Sequence, residues 1–143
     1  MPSIKTSAVE IVKSIKKGEI SSEQLVKSYI EQIKKKDKDI EAFQFFDEEI
    51  VLAQAKKLDA LHQSGHHGDL HGIPVGVKDI FDTVDMPTED GTEIHKNNPS
   101  LNDCTVVSKL KQAGAIIMGK TVTTELAYYS PGKTKNPHDL NRT

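Results

Sequence analysis

Tryptophan is absent, cysteine occurs once, and no apolar stretch is long. The single thiol, Cys104, excludes an intramolecular disulfide and makes a reducing compartment the natural home, with the cytoplasm as default. The longest apolar stretches, such as residues 113–118, fall far short of the roughly 18 residues that span a bilayer, so no membrane is expected as a partner. Residues 1–17 carry a charge every few positions and lack the apolar centre of a signal peptide. Nor is there charge of one sign: the formal net charge is -2, with acids and bases interspersed. That leaves no electrostatic footprint for nucleic acid or anionic lipid. Internal repeats and low-complexity tracts are also missing. What is there is a soluble globular balance, 36% hydrophobic and 28% charged, over 143 residues. A chain of that length can bury more than half of its unfolded surface in one core, although a thin one.

Apolar positions 8, 11, 12 and 15 repeat at helical spacing and Gly18 follows as a stop, which predicts a short amphipathic helix. Ser21 and Gln24 have capping-box spacing ahead of Leu25, Val26, Tyr29, Ile30 and Ile33, predicting a second helix to about Lys36. Residues 42–46 read as a strand, and Asp47 as the cap of a third helix that ends near Ser64 and Gly65. The three glycines of residues 64–72 predict a loop. Residues 73–77 then read as a buried strand, with Pro74 near its start. Asp103 is positioned to cap a helix through Val106, Val107 and Leu110 that Gly114 closes, and residues 115–118 form a further strand. The alternation of helix and strand points to an α/β sheet under helical cover.

Lys78 is the residue singled out for chemistry. It ends a small, apolar strand, where partial withdrawal from water would lower its pKa and let the neutral amine act as a general base. An ion pair with Asp79 or another acid is the competing structural explanation. Cys104 follows the proposed cap Asp103 and reads better as a half-buried thiol than as a nucleophile. Tyr128 and Tyr129 could wall a small-molecule pocket or belong to the core. His67 and His71 are four apart, but that spacing aligns metal ligands only on a helix, so the loop histidines read as solvated and no metal is expected. Residues 114–121 superficially match a phosphate loop of two glycines, Lys120 and Thr121. The residues between the glycines are themselves a strand, which is the wrong context for phosphate binding.

Two stretches together resemble the amidase-signature family: His71-Gly72-Ile73-Pro74-Val75-Gly76-Val77-Lys78-Asp79 and Ala113-Gly114-Ala115-Ile116-Ile117-Met118-Gly119-Lys120-Thr121. The resemblance continues through Glu125-Leu126-Ala127 to residues 136–143 and covers essentially the whole chain. It implies the N-terminal part of an α/β amidase-signature fold, a mixed β-sheet covered by helices, present here incompletely. Residues 1–143 would form one incomplete amidase-like domain, with a helical region with one short strand over 1–65 and the start of the sheet core over 72–143. Members hydrolyse amides through a Ser-cisSer-Lys triad without a cofactor, and the lysine maps onto Lys78. Ala127 and Tyr128 match a segment that lines the acyl pocket, and so would contact a small-molecule amide in a full-length parent. Ser100, Ser108 and Ser130 do not match either catalytic serine, and the serine-rich signature would follow Thr143. The expectation is a fragment inactive on its own, whose missing neighbours leave strand edges and apolar faces that favour self-association or a complementing C-terminal fragment. The competing readings are a non-catalytic interaction module or complementing half of a split amidase, and a fragment like the amidase-type subunit of a tRNA-dependent amidotransferase.

Overall fold

The computed structural model describes residues 6–65 and 68–143. Their regular elements are α1 (Ala8–Lys16), α2 (Ser22–Ile40), β1 (Phe43–Phe45), α3 (Glu48–Gln63), β2 (Pro74–Lys78), α4 (Thr105–Gln112) and β3 (Ile116–Thr121). Two short 3-10 turns lie at Glu93–His95 and Glu125–Ala127.

The helix starts follow local chemistry. Ser7 with Glu10, and Ser21 with Gln24, each close a reciprocal capping box that satisfies orphan amides of the first turn. The Asp47 carboxylate accepts from the amides of Glu49 and Ile50 at the start of α3, as expected. Helix α2 runs four residues beyond the expected end, to Ile40. It stops where Glu41 turns left-handed (φ 54°) and the Asp37 carboxylate takes the amides of Ala42 and Phe43. The charged stretch 34–39 has no apolar period from which that stop could be read.

The start of α4 corrects another expectation. Cys104, not Asp103, holds the N-cap position, without a side-chain bond to the helix. The Asp103 carboxylate instead accepts from the Val84 amide at 2.9 Å and pairs with Lys111 on α4. The helix ends at Gln112 with Ala113 as its C-cap, and Gly114 follows in the left-handed region (φ 87°) with its α-carbon pressed toward His71. A β-carbon there would come within 2.9 Å of the His71 backbone, so this glycine closes α4 and admits the neighbouring loop.

The sheet has the order β1-β3-β2, with β3 antiparallel to β1 and parallel to β2. Strand β3 is therefore central and buried on both faces, and it runs three residues beyond the expected Met118. Ile116 and Met118 pack with Val26 and Ile30 of α2 and Val51 and Ala55 of α3. Ile117 points the other way, onto Val77, Met86 and Val107 of α4, as the two-residue period of a strand demands. Helix α1 seals a third cluster through Ile11, Val12 and Ile15, against Leu25 and Ile73. Each fully buried aliphatic side chain contributes about 1.5–3 kcal/mol to this assembly.

Candidate active site

The carboxyl ends of the parallel pair β2 and β3 lie side by side, with Lys78 opposite Thr121. In open α/β sheets this is the end at which ligands bind. A polar cavity of about 200 Å³ opens there, lined by Gln44, Asp79, Glu89, Lys96, Thr123 and Lys133 among others.

Lys78 is exposed, not withdrawn from water. Alternation along β2 explains the difference: Val77 takes the inward position at 4% exposure, so Lys78 on the next residue faces out. Its backbone is held firmly. The Lys78 carbonyl accepts from the amides of Ile80 and Phe81, and the Asp79 amide donates to Thr121 at 2.9 Å.

The buried lysine is Lys120, fully shielded in β3. Its ammonium lies 3.2 Å from an Asp79 carboxylate oxygen that is equally buried. It also donates to the Thr88 hydroxyl at 2.7 Å and the Pro87 carbonyl at 2.9 Å. Asp79 thus forms the ion pair foreseen for it, but with Lys120 in place of Lys78. Burial raises the Asp79 pKa more than the Lys120 charge and the Glu89 amide lower it. Beside it, burial also pushes Glu89 up, but that is outweighed by the Asn97 amide, the Gln44 side chain and the charges of Lys96 and Lys133. The Glu89 carboxyl consequently sits below its ordinary value.

The phosphate-loop resemblance of residues 114–121 finds no support in this geometry. Gly119 serves the approach of β1, since a β-carbon there would lie 2.6 Å from the Phe45 carbonyl oxygen. The ammonium of Lys120 is committed to Asp79, Thr88 and Pro87.

Ala127 and Tyr128 lie on an exposed turn in which Leu126 and Ala127 both have positive φ, 49° and 58°. The Leu126 amide ties this turn to the Asp90 carbonyl at 2.7 Å. Tyr128 is 88% exposed and meets Tyr129 with ring centroids 6.4 Å apart, so these tyrosines are not core. The Ser100 hydroxyl is bonded to Asp82, and that of Ser108 to the Asp103 carbonyl. Cys104 is half-buried, as expected. His71 is buried, in contrast to the solvated state expected of it, while His66 and His67 lie outside the described residues. Among the described residues, no group of three or more His, Cys, Asp or Glu is arranged to hold a metal, and no helix is long and apolar enough to cross a membrane.

Gln44, Glu89 and Lys120 were not foreseen as site residues. For Lys120 no simple alternation could have found it, because the register of β3 against β2 shifts between Ile117 and Gly119 and brings Lys120 beside Val77, on the face of Ile117 and away from that of Ile116 and Met118.

The sequence matches the family Amidase over residues 24–143. It is 38% identical to the putative amidase AmiD of Mycobacterium tuberculosis over 125 residues, 87% of this chain and 26% of that protein. It is also 38% identical over 141 residues to a glutamyl-tRNA(Gln) amidotransferase subunit of Nitrosococcus oceani, covering 93% of this chain and 29% of that one. The structure superposes on the native peptide amidase of Stenotrophomonas maltophilia with a TM-score of 0.88 at 27% identity, over 97% of this chain and 31% of the amidase. The chain thus spans less than a third of the length of these relatives. The chain belongs to the amidase family.

Proposed function

We propose that these residues form the lysine-bearing part of a hydrolase of small-molecule amides, in which Lys78 is the general base. The observation that carries this reading is the position of Lys78, at the carboxyl end of β2 with its side chain open to an approaching partner, inside a family match that spans it. The reaction needs a serine nucleophile and a bridging serine in the cis conformation, both supplied from outside residues 1–143. The neutral Lys78 amine takes a proton through the bridging hydroxyl as the nucleophilic oxygen attacks the amide carbon. The carbon–nitrogen bond then breaks, the amine departs with that proton, and water releases the acyl group. Ala127 and Tyr128, on their exposed turn, are proposed to line the acyl side of the substrate.

A second reading, a piece of a tRNA-dependent amidotransferase, is supported by the 38% identity to a subunit of that enzyme over nearly the whole chain. Both readings predict the same base.

Expressing residues 1–143 alone, and as part of the longest reading frame that encodes them, tests the proposal. The short form should hydrolyse no amide, and the long form should do so until Lys78→Ala abolishes turnover. Full activity in Lys78→Ala overturns the base, and turnover by the short form overturns the need for outside serines. A long form that releases ammonia only from glutamine, for transfer, selects the second reading.

A further inference from the structure

Asp79 and Lys120 form the one fully buried ion pair among the described residues, directly beside the exposed Lys78. Such a pair is a poor way to gain stability, because desolvation of both charges offsets their attraction, and apolar side chains of similar volume serve as well. What a buried pair does supply is direction, and here it ties the residue that follows Lys78 to the end of β3 and to residues 87–89. The Asp79 amide closes the β2–β3 ladder on Thr121, and its carbonyl accepts from Asp90 at 3.0 Å. Both Asp79 carboxylate oxygens accept from the Glu89 amide at 3.3 Å. Lys120 reaches across to the same loop through Pro87 and Thr88. The two side chains therefore lock together the end of β2, the end of β3 and the far end of the loop 80–90.

We propose that Asp79 and Lys120 are positioning residues for Lys78, holding the end of β2 so that the Lys78 side chain leaves the sheet in one fixed direction. The proposal rests on the reading of Lys78 as the base. The pair touches neither substrate nor the reacting atoms: it acts on the opposite face of the strand, through the backbone of the neighbouring residue.

The test removes both charges together. Asp79→Leu with Lys120→Met leaves no orphaned buried charge, so overall stability should stay near that of the parent. Hydrogen exchange then reads the amides of Asp79, Ile80, Phe81, Glu89 and Asp90 separately from those of Ile116 and Ile117 in the central strand. The expected result is exchange about tenfold or more faster at the first five, with the last two unchanged. Unchanged exchange at the five overturns the proposal, because the ladder alone would then fix Lys78. If the double variant loses protection everywhere, Asp79→Glu decides, since it keeps both charges and displaces the carboxylate by one methylene. Faster exchange confined to the same five amides supports positioning, and unchanged or uniformly faster exchange overturns it.

In the long form, the double variant should lower kcat by about a hundredfold with little change in KM. Full kcat in the double variant, with activity lost in Lys78→Ala, overturns the positioning role and leaves the base standing. Full activity in Lys78→Ala removes the base, while the exchange rates still judge how the pair holds the strand.

Discussion

At Gly119, β3 comes so close to β1 that a β-carbon would meet the Phe45 carbonyl oxygen at 2.6 Å and the Phe43 ring at 2.8 Å. Both obstacles belong to a strand packed on α2 and α3, and neither can give cheaply. Gly119→Ala should therefore destabilise the fold by about 1–3 kcal/mol, read as a lower urea midpoint with an unchanged slope. Two neighbouring carboxyls set opposite pH dependences. Glu89, whose folded pKa lies below the ordinary 4.5, contributes stability above that value and loses it as pH falls through the folded one. The stability difference between parent and Glu89→Gln should accordingly shrink on acidification below the usual glutamate range. Asp79, held above the ordinary 3.8, works the other way, its contribution fading as pH rises through the raised value. Much at this scale was legible in sequence, and one inversion was not. Lys78 is the last residue of β2 and Lys120 the last but one of β3, and the sequence cannot say which lysine faces a filled side of the sheet. Burial went to Lys120, because β3 is covered on both faces and β2 is an edge strand.

Among elements, two side chains on α3 replace bonds that the backbone cannot make. Asp59 caps α2 from a distance, accepting from the amides of Ser22 at 2.7 Å and Glu23 at 3.0 Å. Asp59→Ala should cost about 1–2 kcal/mol by thermal or urea unfolding, as loss of a charged cap does. Gln54 acts as a short surrogate strand. Its amide nitrogen donates to the Ile117 carbonyl at 3.0 Å and its oxygen accepts from the Ile117 amide at 2.9 Å, beyond the reach of the three-residue β1. Gln54→Leu strands both buried groups and should cost about 1–3 kcal/mol for each of them, measured by urea unfolding. Local signals such as capping boxes, Gly114 and the Asp47 cap could be read directly, since they act within a few residues. Asp59 and Gln54 act across the fold, and nothing in their own neighbourhoods distinguishes them from other polar residues on a helix face.

For the whole molecule, the sheet ends on two strands with only one neighbour each, and Ile94, Leu101, Tyr128 and Tyr129 are each more than four-fifths exposed. Residues 1–143 on their own should associate with rising concentration, seen in sedimentation as species heavier than 15.8 kDa. Tyr128→Ser with Tyr129→Ser should weaken that association, and a strictly monomeric parent chain would contradict it. The sheet order has a further consequence, in time. Strands β1 and β2 do not touch; each pairs only with β3, which is the last of the three in the chain. During synthesis from the N-terminus, no strand pair can form until β3 begins to leave the ribosome, so Phe43 and Val77 both wait unpaired for the same late segment. Until then α1, α2 and α3 can pack only on one another. A pause in translation before Ile116 would leave helices without their central strand, two unpaired strands and a nascent chain with every reason to recruit a chaperone.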